Sequence, residues 1–286
     1  MNNAVKELEQ ARAEAIAKDK CFSKTRLREE FRMKPKEEAE PVAFYKNDYG
    51  GKFAVYKIAD CVPMRSKVSK PATSKQKQAR AVLAIKTKLK SKHAKASNRA
   101  VSWLESEPLF LDSESTGLGS NAQIIELAIA NSHGKILFES RIKPTIEIEQ
   151  EAIHIHGITK QDLEQSPTWT DISANVQSIL TDRPLIIFND NFDVRLLRQT
   201  AQAHGEPTEW IKALKTHCAM QLAAYAFGPT NRHGSISLSD AVLYSRIEWR
   251  GEAHSAVADT LTTVDLVRSI ADYGLSLKQE LKNLEN

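Results

Sequence analysis

The stretch Pro108-Leu-Phe-Leu-Asp-Ser-Glu-Ser-Thr-Gly-Leu118 decides how this chain is read. Apolar residues lead into Asp112, one residue intervenes, and Glu114 follows. A strand sends alternate side chains to opposite faces, so residues i and i+2 share a side. As one strand, Leu109–Glu114 projects both carboxylates together. Carboxylates held that close repel, and each is driven toward its protonated form. A divalent cation between them relieves the repulsion, and Mg2+ and Mn2+ prefer oxygen ligands. The other reading is a strand that ends in an ordinary polar Ser-Thr-Gly turn.

Downstream, Gln123–Ala130 and Lys135–Ile142 read as two more strands, joined by the tight turn Ser132-His-Gly134. With the first they form an antiparallel meander, closed by Pro144. Thr159, with Asp162 three residues on, has the pattern of a helix N-cap. A helix follows Pro167, with Ile172, Val176, Ile179 and Leu180 on one face. Leu185-Ile-Ile-Phe188 is wholly apolar, as a buried central strand requires. It runs into Asn189-Asp-Asn-Phe-Asp193 and a helix through Leu196, Leu197 and Ala201. Thr216–Phe227 reads as a helix stopped by Gly228-Pro229, Leu238–Tyr244 as a short one, and Ala256–Tyr273 as the last long one. After Gly274 the tail, 275–286, is polar and reads as a frayed helix. The body, 105–274, is therefore a mixed α/β sheet flanked by helices.

Upstream, residues 1–60 suggest a helical segment and a small hairpin, Val42–Tyr45 with Phe53–Ile58 around Lys-Asn-Asp-Tyr-Gly-Gly. Residues 61–104, rich in Lys, Ser and Ala, read as a basic linker or arm, helical around Lys77–Ser91. Residues 1–100 carry 25 Lys and Arg against 11 Asp and Glu, and the remainder 15 against 25. Segment 61–100 alone has twelve basic residues and no acidic one. A basic extension thus precedes an acidic body, and basic arms follow polyanions. On this reading the arm supplies sequence-independent affinity for nucleic acid, and removing residues 1–100 leaves turnover intact. The competing role is a grip on a partner protein. No apolar run reaches the length of a membrane span, and the first twenty residues are polar and charged. Cys21, Cys61 and Cys218 form no CxxC pair, which points to a reducing compartment, the cytoplasm, and away from structural zinc or disulfides.

Three more titratable groups fall at element ends: Asp193 at a helix start, Asp259 in the last helix, and His254 five residues earlier. Five residues on a helix place side chains roughly 140° apart. His254 must therefore lie on the preceding loop if both serve one site. Asp112-x-Glu114 with Thr116-Gly117-Leu118, Asn189-x-x-Phe192-Asp193, and His254-x-Ala256-x-x-Asp259 resemble, in order and spacing, the three motifs of DEDDh 3′–5′ exonucleases. Ile155-His-Gly-Ile-Thr159 and Cys218-Ala-Met-Gln-Leu-Ala resemble segments of the branch containing the proofreading epsilon subunit of bacterial DNA polymerase III. The resemblance spans residues 107–272. Ser115, Asp190 and Cys218 depart from that branch's usual pattern, and none removes a ligand.

The resemblance implies an RNase H-like fold and a 3′–5′ exonuclease acting on DNA. It implies two divalent cations, Mg2+ or Mn2+, held by Asp112, Glu114, Asp193 and Asp259. Two cations about 4 Å apart can clamp the attacking water and the leaving 3′-oxygen. His254 would be the general base, since imidazole titrates near working pH. Thr116, Gly117, Leu118, His156, Asn189 and Phe192 are candidates for substrate contact. For four of them a structural role stands beside that one: Gly117 for the turn, His156 as a cap, Asn189 for ordering the turn, Phe192 for the core. His154 and His156 lack a third ligand for zinc. The alternatives are an exoribonuclease of the same family, which shares every motif, and a catalytically silent nucleic-acid-binding module, which should have lost a ligand. Expected partners are nucleic acid, DNA before RNA, and a polymerase or repair protein through the N-terminal region.

Overall fold

The computed structural model describes residues 3–47, 51–64 and 72–285. The chain divides into two compact units, Met1–Ala72 and Thr73–Asn286.

The first unit holds α1 (Asn3–Ala17), β1 (Cys21–Ser23), α2 (Lys24–Glu29), β2 (Met33–Pro35), β3 (Ala43–Lys46), β4 (Lys52–Lys57) and β5 (Cys61–Pro63). β3 and β4 pair antiparallel from Ala43↔Val55 to Lys46↔Lys52 and form the expected hairpin. The tip of its loop, 48–50, lies outside the described residues. Two strands alone are marginal in water. Here β1 pairs along the other edge of β4, and Phe22, Leu27, Phe31, Met33, Tyr56 and Ile58 close a small core beneath. β1, β2 and β5 are three residues each, too short to carry a periodic signal in sequence.

The second unit begins with α3 (Ser74–Lys88) and α4 (Lys92–Glu105), then β6 (Leu109–Ser115), β7 (Ile124–Asn131) and β8 (Ile136–Arg141). α5 (Gln150–His156), α6 (Trp169–Leu180), β9 (Leu185–Ile187), α7 (Asp190–Ala203) and α8 (Glu209–Lys212) follow. β10 (Thr216–Cys218), α9 (Ala219–Phe227), α10 (Leu238–Ser245) and α11 (Ala256–Glu285) complete it. The sheet order is β10-β9-β6-β7-β8. β6, β7 and β8 form the antiparallel meander, while β9 and β10 add parallel to β6. The mixed α/β architecture is thus as the sequence implies. β6, β9 and β10 run the same way, with β6 continuing to Ser115 beyond its last pair, Leu111↔Ile187, and in such sheets binding sites form outside the carboxyl ends of the strands.

The two faces of β6 enter two cores. Leu109 and Leu111 pack with Trp169, Val176, Leu196 and Leu197 of α6 and α7. Phe110 packs on the other face with Ala96 and Ala100 of α4, Leu222 of α9, and Val264, Leu266 and Ile270 of α11. This alternation continues into the next residues of the strand and sorts the site.

Three expectations are corrected. The linker read over 61–104 is folded from Ser74 onward; residues 65–71 lie outside the described residues. Thr73 closes a capping box with Gln76 at the start of α3, and Ser91 caps α4. α4 buries Ala94, Ala96, Ser97 and Ala100. Small side chains like these make a real interface while leaving little hydrophobic pattern to read.

Second, the last helix does not stop at Tyr273 and fray after Gly274 but runs unbroken to Glu285. Gly274 lies where α4 crosses closely: a Cβ there would sit 2.5 Å from Ser97 Oγ. That hydroxyl donates to the Ala271 carbonyl at 2.6 Å and accepts from the Gly274 N–H at 2.9 Å. The residues read as a frayed tail belong to this helix. Third, Thr216–Cys218, read as the start of a helix, is the edge strand β10, and the helix begins at Ala219. Among the described residues no helix is long and apolar enough to cross a membrane. The three cysteines are free thiols.

Candidate active site

The site lies where β6 ends. Asp112 and Glu114 continue the face of Phe110, toward α11, and Ser113 continues the face of Leu111, toward α7. The strand register sets Asp112 opposite Ala128 and Glu114 opposite Glu126, with a bulge between Glu114 and Ser115. Asp193, in the first turn of α7, is buried and reaches the strand from the other face. Its Oδ1 accepts a 2.6 Å hydrogen bond from Ser113 Oγ. The intervening residue of the DxE motif therefore fixes the third carboxylate.

Asp259 sits in the first turn of α11, and His254 lies on the loop before it, as the helical angle demands. Ligand atoms of Glu114, His254 and Asp259 all lie within 4.8 Å of one another. His254 is exposed and its backbone is left-handed, at φ +63°. That conformation costs about 1–2 kcal/mol for a residue with a Cβ, so neighbouring contacts must hold it.

The electrostatics follow from burial and crowding. Glu114 is pushed up to about 8 by burial, then by the charges of Asp259, Glu126 and Asp193. Burial drives Asp112 well above the carboxylate range, with Asp193, Asp259 and Glu114 adding to it. Asp193 rises to about 7 through burial, against the pull of the Ser113 hydrogen bond. Asp259 rises to about 6 through burial, with His254 opposing. Four carboxylates that resist ionising side by side need positive charge. Asp259 Oδ1 is buried with no hydrogen-bond partner, an acceptor left for something else. Carboxylate oxygens with one imidazole are a donor set for a hard or borderline divalent cation. The residues present fit a divalent metal.

The other expected residues divide. Leu118 is 73% exposed beside the cluster's strand. Thr116 is buried, its hydroxyl accepting from the Gln123 N–H at 3.0 Å and its carbonyl from the Glu149 N–H at 2.8 Å. The Glu149 carboxylate lies against Gly117, where a Cβ would meet it at 2.2 Å. His156 spends both ring nitrogens within the protein: Nδ1 accepts from the Ile158 N–H at 3.0 Å, so Nε2 donates to the Ser115 carbonyl at 3.2 Å. It thereby clamps the bulged end of β6. Asn189 caps α7 through its backbone, and its side chain makes no capping bond. Phe192 is half-buried against the α7-side core, with Arg195 5.2 Å from its ring centroid. Asp190 accepts from Thr216 Oγ1 at 3.0 Å and ties α7 to β10.

Sequence reading missed Glu126. Its Oε2 accepts from the Ala256 N–H at 2.8 Å, capping the first turn of α11 between His254 and Asp259. Its Oε1 lies 3.5 Å from Arg141 Nε, and Arg141 reaches Asp162 at 3.9 Å. Asp162 in turn accepts from the N–H and hydroxyl of Thr159. A Glu on a strand reads as solvated, and only the register opposite Glu114 reveals its place.

The comparisons accord with this geometry. A family model described as exonuclease, RNase_T, matches residues 109–267. The chain is 35% identical over 188 residues to the uncharacterised exonuclease CP81 of Escherichia phage 186, covering 64% of this chain and 97% of that protein. It is 37% identical over 102 residues to the DNA polymerase III epsilon subunit of Buchnera aphidicola, covering 32% of this chain and 43% of that one. The zinc-bound complex of E. coli exonuclease I with single-stranded DNA superposes with a TM-score of 0.50 at 18% identity, a likeness of fold. It covers 60% of this chain, which spans less than half the length of that structure, 42%.

Proposed function

The chain belongs to the RNase_T exonuclease family, and from that premise we propose that it removes nucleotides from the 3′ end of DNA. The observation that carries the reading is the convergence of Glu114, His254 and Asp259 within 4.8 Å. Asp112 and Asp193 share their field.

Asp112, Glu114, Asp193 and Asp259 would hold two divalent cations. Bound there, these would activate a water and stabilise the leaving 3′-oxygen. His254, exposed on the loop before the helix of Asp259, would take the proton from the attacking water. Its exposure gives that proton a route to solvent. Leu118 would pack on the terminal base. Thr116 and His156 would act on substrate only through the backbone they hold in place. Ser113 would keep Asp193 aimed at the cleft.

An exoribonuclease would share these groups and differ in how its pocket treats a 2′-hydroxyl. Identity to a DNA polymerase subunit favours DNA. The test is incubation with Mg2+ or Mn2+ and 5′-labelled single-stranded DNA, duplex DNA and RNA. A ladder of labelled products shortening from the 3′ end, fastest on DNA, is expected. Immediate release of the labelled 5′ nucleotide would reverse the polarity, and a ladder on RNA alone would assign an exoribonuclease.

A further inference from the structure

Residues 75–99 hold nine Lys and Arg and no Asp or Glu, and all nine are exposed. Eight are carried on two helices of the second unit, and Lys90 lies in the turn between them. α3 and α4 both pack against α11, α3 burying Ile85 and α4 burying Ala94, Ser97 and Ala100. At about 100° per residue, Arg80 lies about 140° around α3 from Ile85, and Lys77 and Lys88 lie on its flank, about 80° and 60° away. Lys92, Lys95 and Arg99 fall likewise on the side of α4 opposite Ser97. The α4 stripe therefore faces away from α11, and the α3 cations, all exposed, flank the contact with that same helix.

Most of these charges have no ionic partner among the described residues. Among the described residues, only Lys86 of the nine forms an ion pair, with Glu285 at 2.8 Å. Arg99 lies over the Tyr225 ring. Within each helix like charges recur at i+3 or i+4, Lys77 with Arg80 and Lys95 with Lys92 and Arg99, a spacing that weakens a helix. Repulsion maintained on a rigid face, against an otherwise acidic body, calls for a polyanion.

We propose that the outer face of α3 and α4 binds the nucleic-acid backbone at a distance from the cleft, holding the substrate while its end is processed. The proposal rests on the exonuclease reading for its occupant. Its position follows from α11: His93 of α4 stacks on Tyr273, with ring centroids 3.7 Å apart. Tyr273 lies fourteen residues, roughly 21 Å, along the helix from Asp259. The face is thus beyond the reach of a trinucleotide seated in the cleft and within reach of a longer strand.

The experiment uses the full chain with Lys77, Arg80, Lys88, Lys92 and Lys95 changed together to Gln. Among the described residues, none of the five has a side-chain hydrogen bond or ion pair. Relief of repulsion should leave the melting temperature equal or higher, which shows that the variant folds. Binding of long single-stranded and duplex DNA is measured in Ca2+ against salt. At low salt it should weaken at least about tenfold, and the log–log salt slope should flatten by about 0.7 per lost contact on single strands and about 0.9 on duplex. With Mg2+, KM for the long strand should rise while kcat, and hydrolysis of a trinucleotide, stay unchanged. Unchanged affinity and slope in a folded variant would overturn the proposal. So would an acidic polypeptide that binds this face while long DNA does not compete. Because binding is read without hydrolysis, an inactive protein that still shows the altered slope would sink the exonuclease reading and leave this surface standing.

Discussion

The carboxylate of Glu126 on β7 accepts the backbone N–H of Ala256 at 2.8 Å, two residues beyond His254 and three before Asp259. One strand residue thereby sets both the loop carrying the histidine and the helix turn carrying the aspartate. An acidic group at a helix N-terminus also meets the positive end of the helix dipole. Glu126→Ala should lower kcat by about ten- to a hundredfold, the range for a small misplacement of catalytic groups, with KM little changed. Glu126→Gln keeps an acceptor oxygen and should recover most of the loss. Steady-state kinetics that rank the two variants equally would remove this role.

His254→Ala should lose at least about 10²-fold in rate, the lower range for general base catalysis. Binding of DNA and metal should persist. Its pH–rate profile should change shape; a profile merely scaled down would exclude proton transfer by this side chain.

The raised carboxylates make stability depend on pH in a fixed direction when cations are withheld. Glu114 titrates near 8 when folded, against an ordinary 4.5, and Asp193 near 7 against 3.8. Below about pH 4 both states hold these protons and no penalty arises. As pH rises toward 8 the unfolded chain has ionised while the folded chain is being forced to, so stability falls. The melting temperature in EDTA should therefore drop between about pH 4 and pH 8. Mn2+ should restore it most at the upper end. A melting temperature that rises over that window in EDTA would contradict the crowding described here.

The chain should tolerate removal of residues 1–72 and should not tolerate removal of residues 1–100, contrary to what the arm-like composition suggests. The second deletion takes away α3 and most of α4, including Ala94, Ala96 and Ser97 from the interface with α11. Gly274→Ala should destabilise by about 1–3 kcal/mol, as overpacking does, because Ser97 Oγ occupies the space. Thermal melts of the three variants check this, and a stable, active 101–286 fragment would be the adverse result.

These contrasts show what a sequence exposes. The strand Leu109–Leu111, the run Leu185–Ile187 and the spacing of His254 from Asp259 were legible because apolar runs and titratable groups carry strong signals. The α4–α11 interface was hidden because Ala, Ser and Gly make it, and such residues look like linker. The last helix read as ordered only to Tyr273 because glycine ends helices often, whereas here Gly274 permits a close approach. The role of Glu126 was hidden because it depends on register across strands. His156 stood beside a motif and was read toward substrate, yet its nitrogens hold β6. The three-residue strands β1, β2 and β5 were too short to register at all.

The central claim is that Asp112, Glu114, Asp193 and Asp259 form one metal-dependent hydrolytic centre. Its most direct test is the rate of 3′-end removal in Mn2+ for Asp112→Ala, Glu114→Ala, Asp193→Ala and Asp259→Ala, beside wild type and beside wild type in EDTA. Loss of several kcal/mol of charge stabilisation corresponds to at least about 10³-fold in rate. Each variant should fall by that much, to the level of the EDTA control, while melting no lower than wild type in EDTA. Near wild-type turnover in any one of the four, or undiminished turnover in EDTA, would contradict the account.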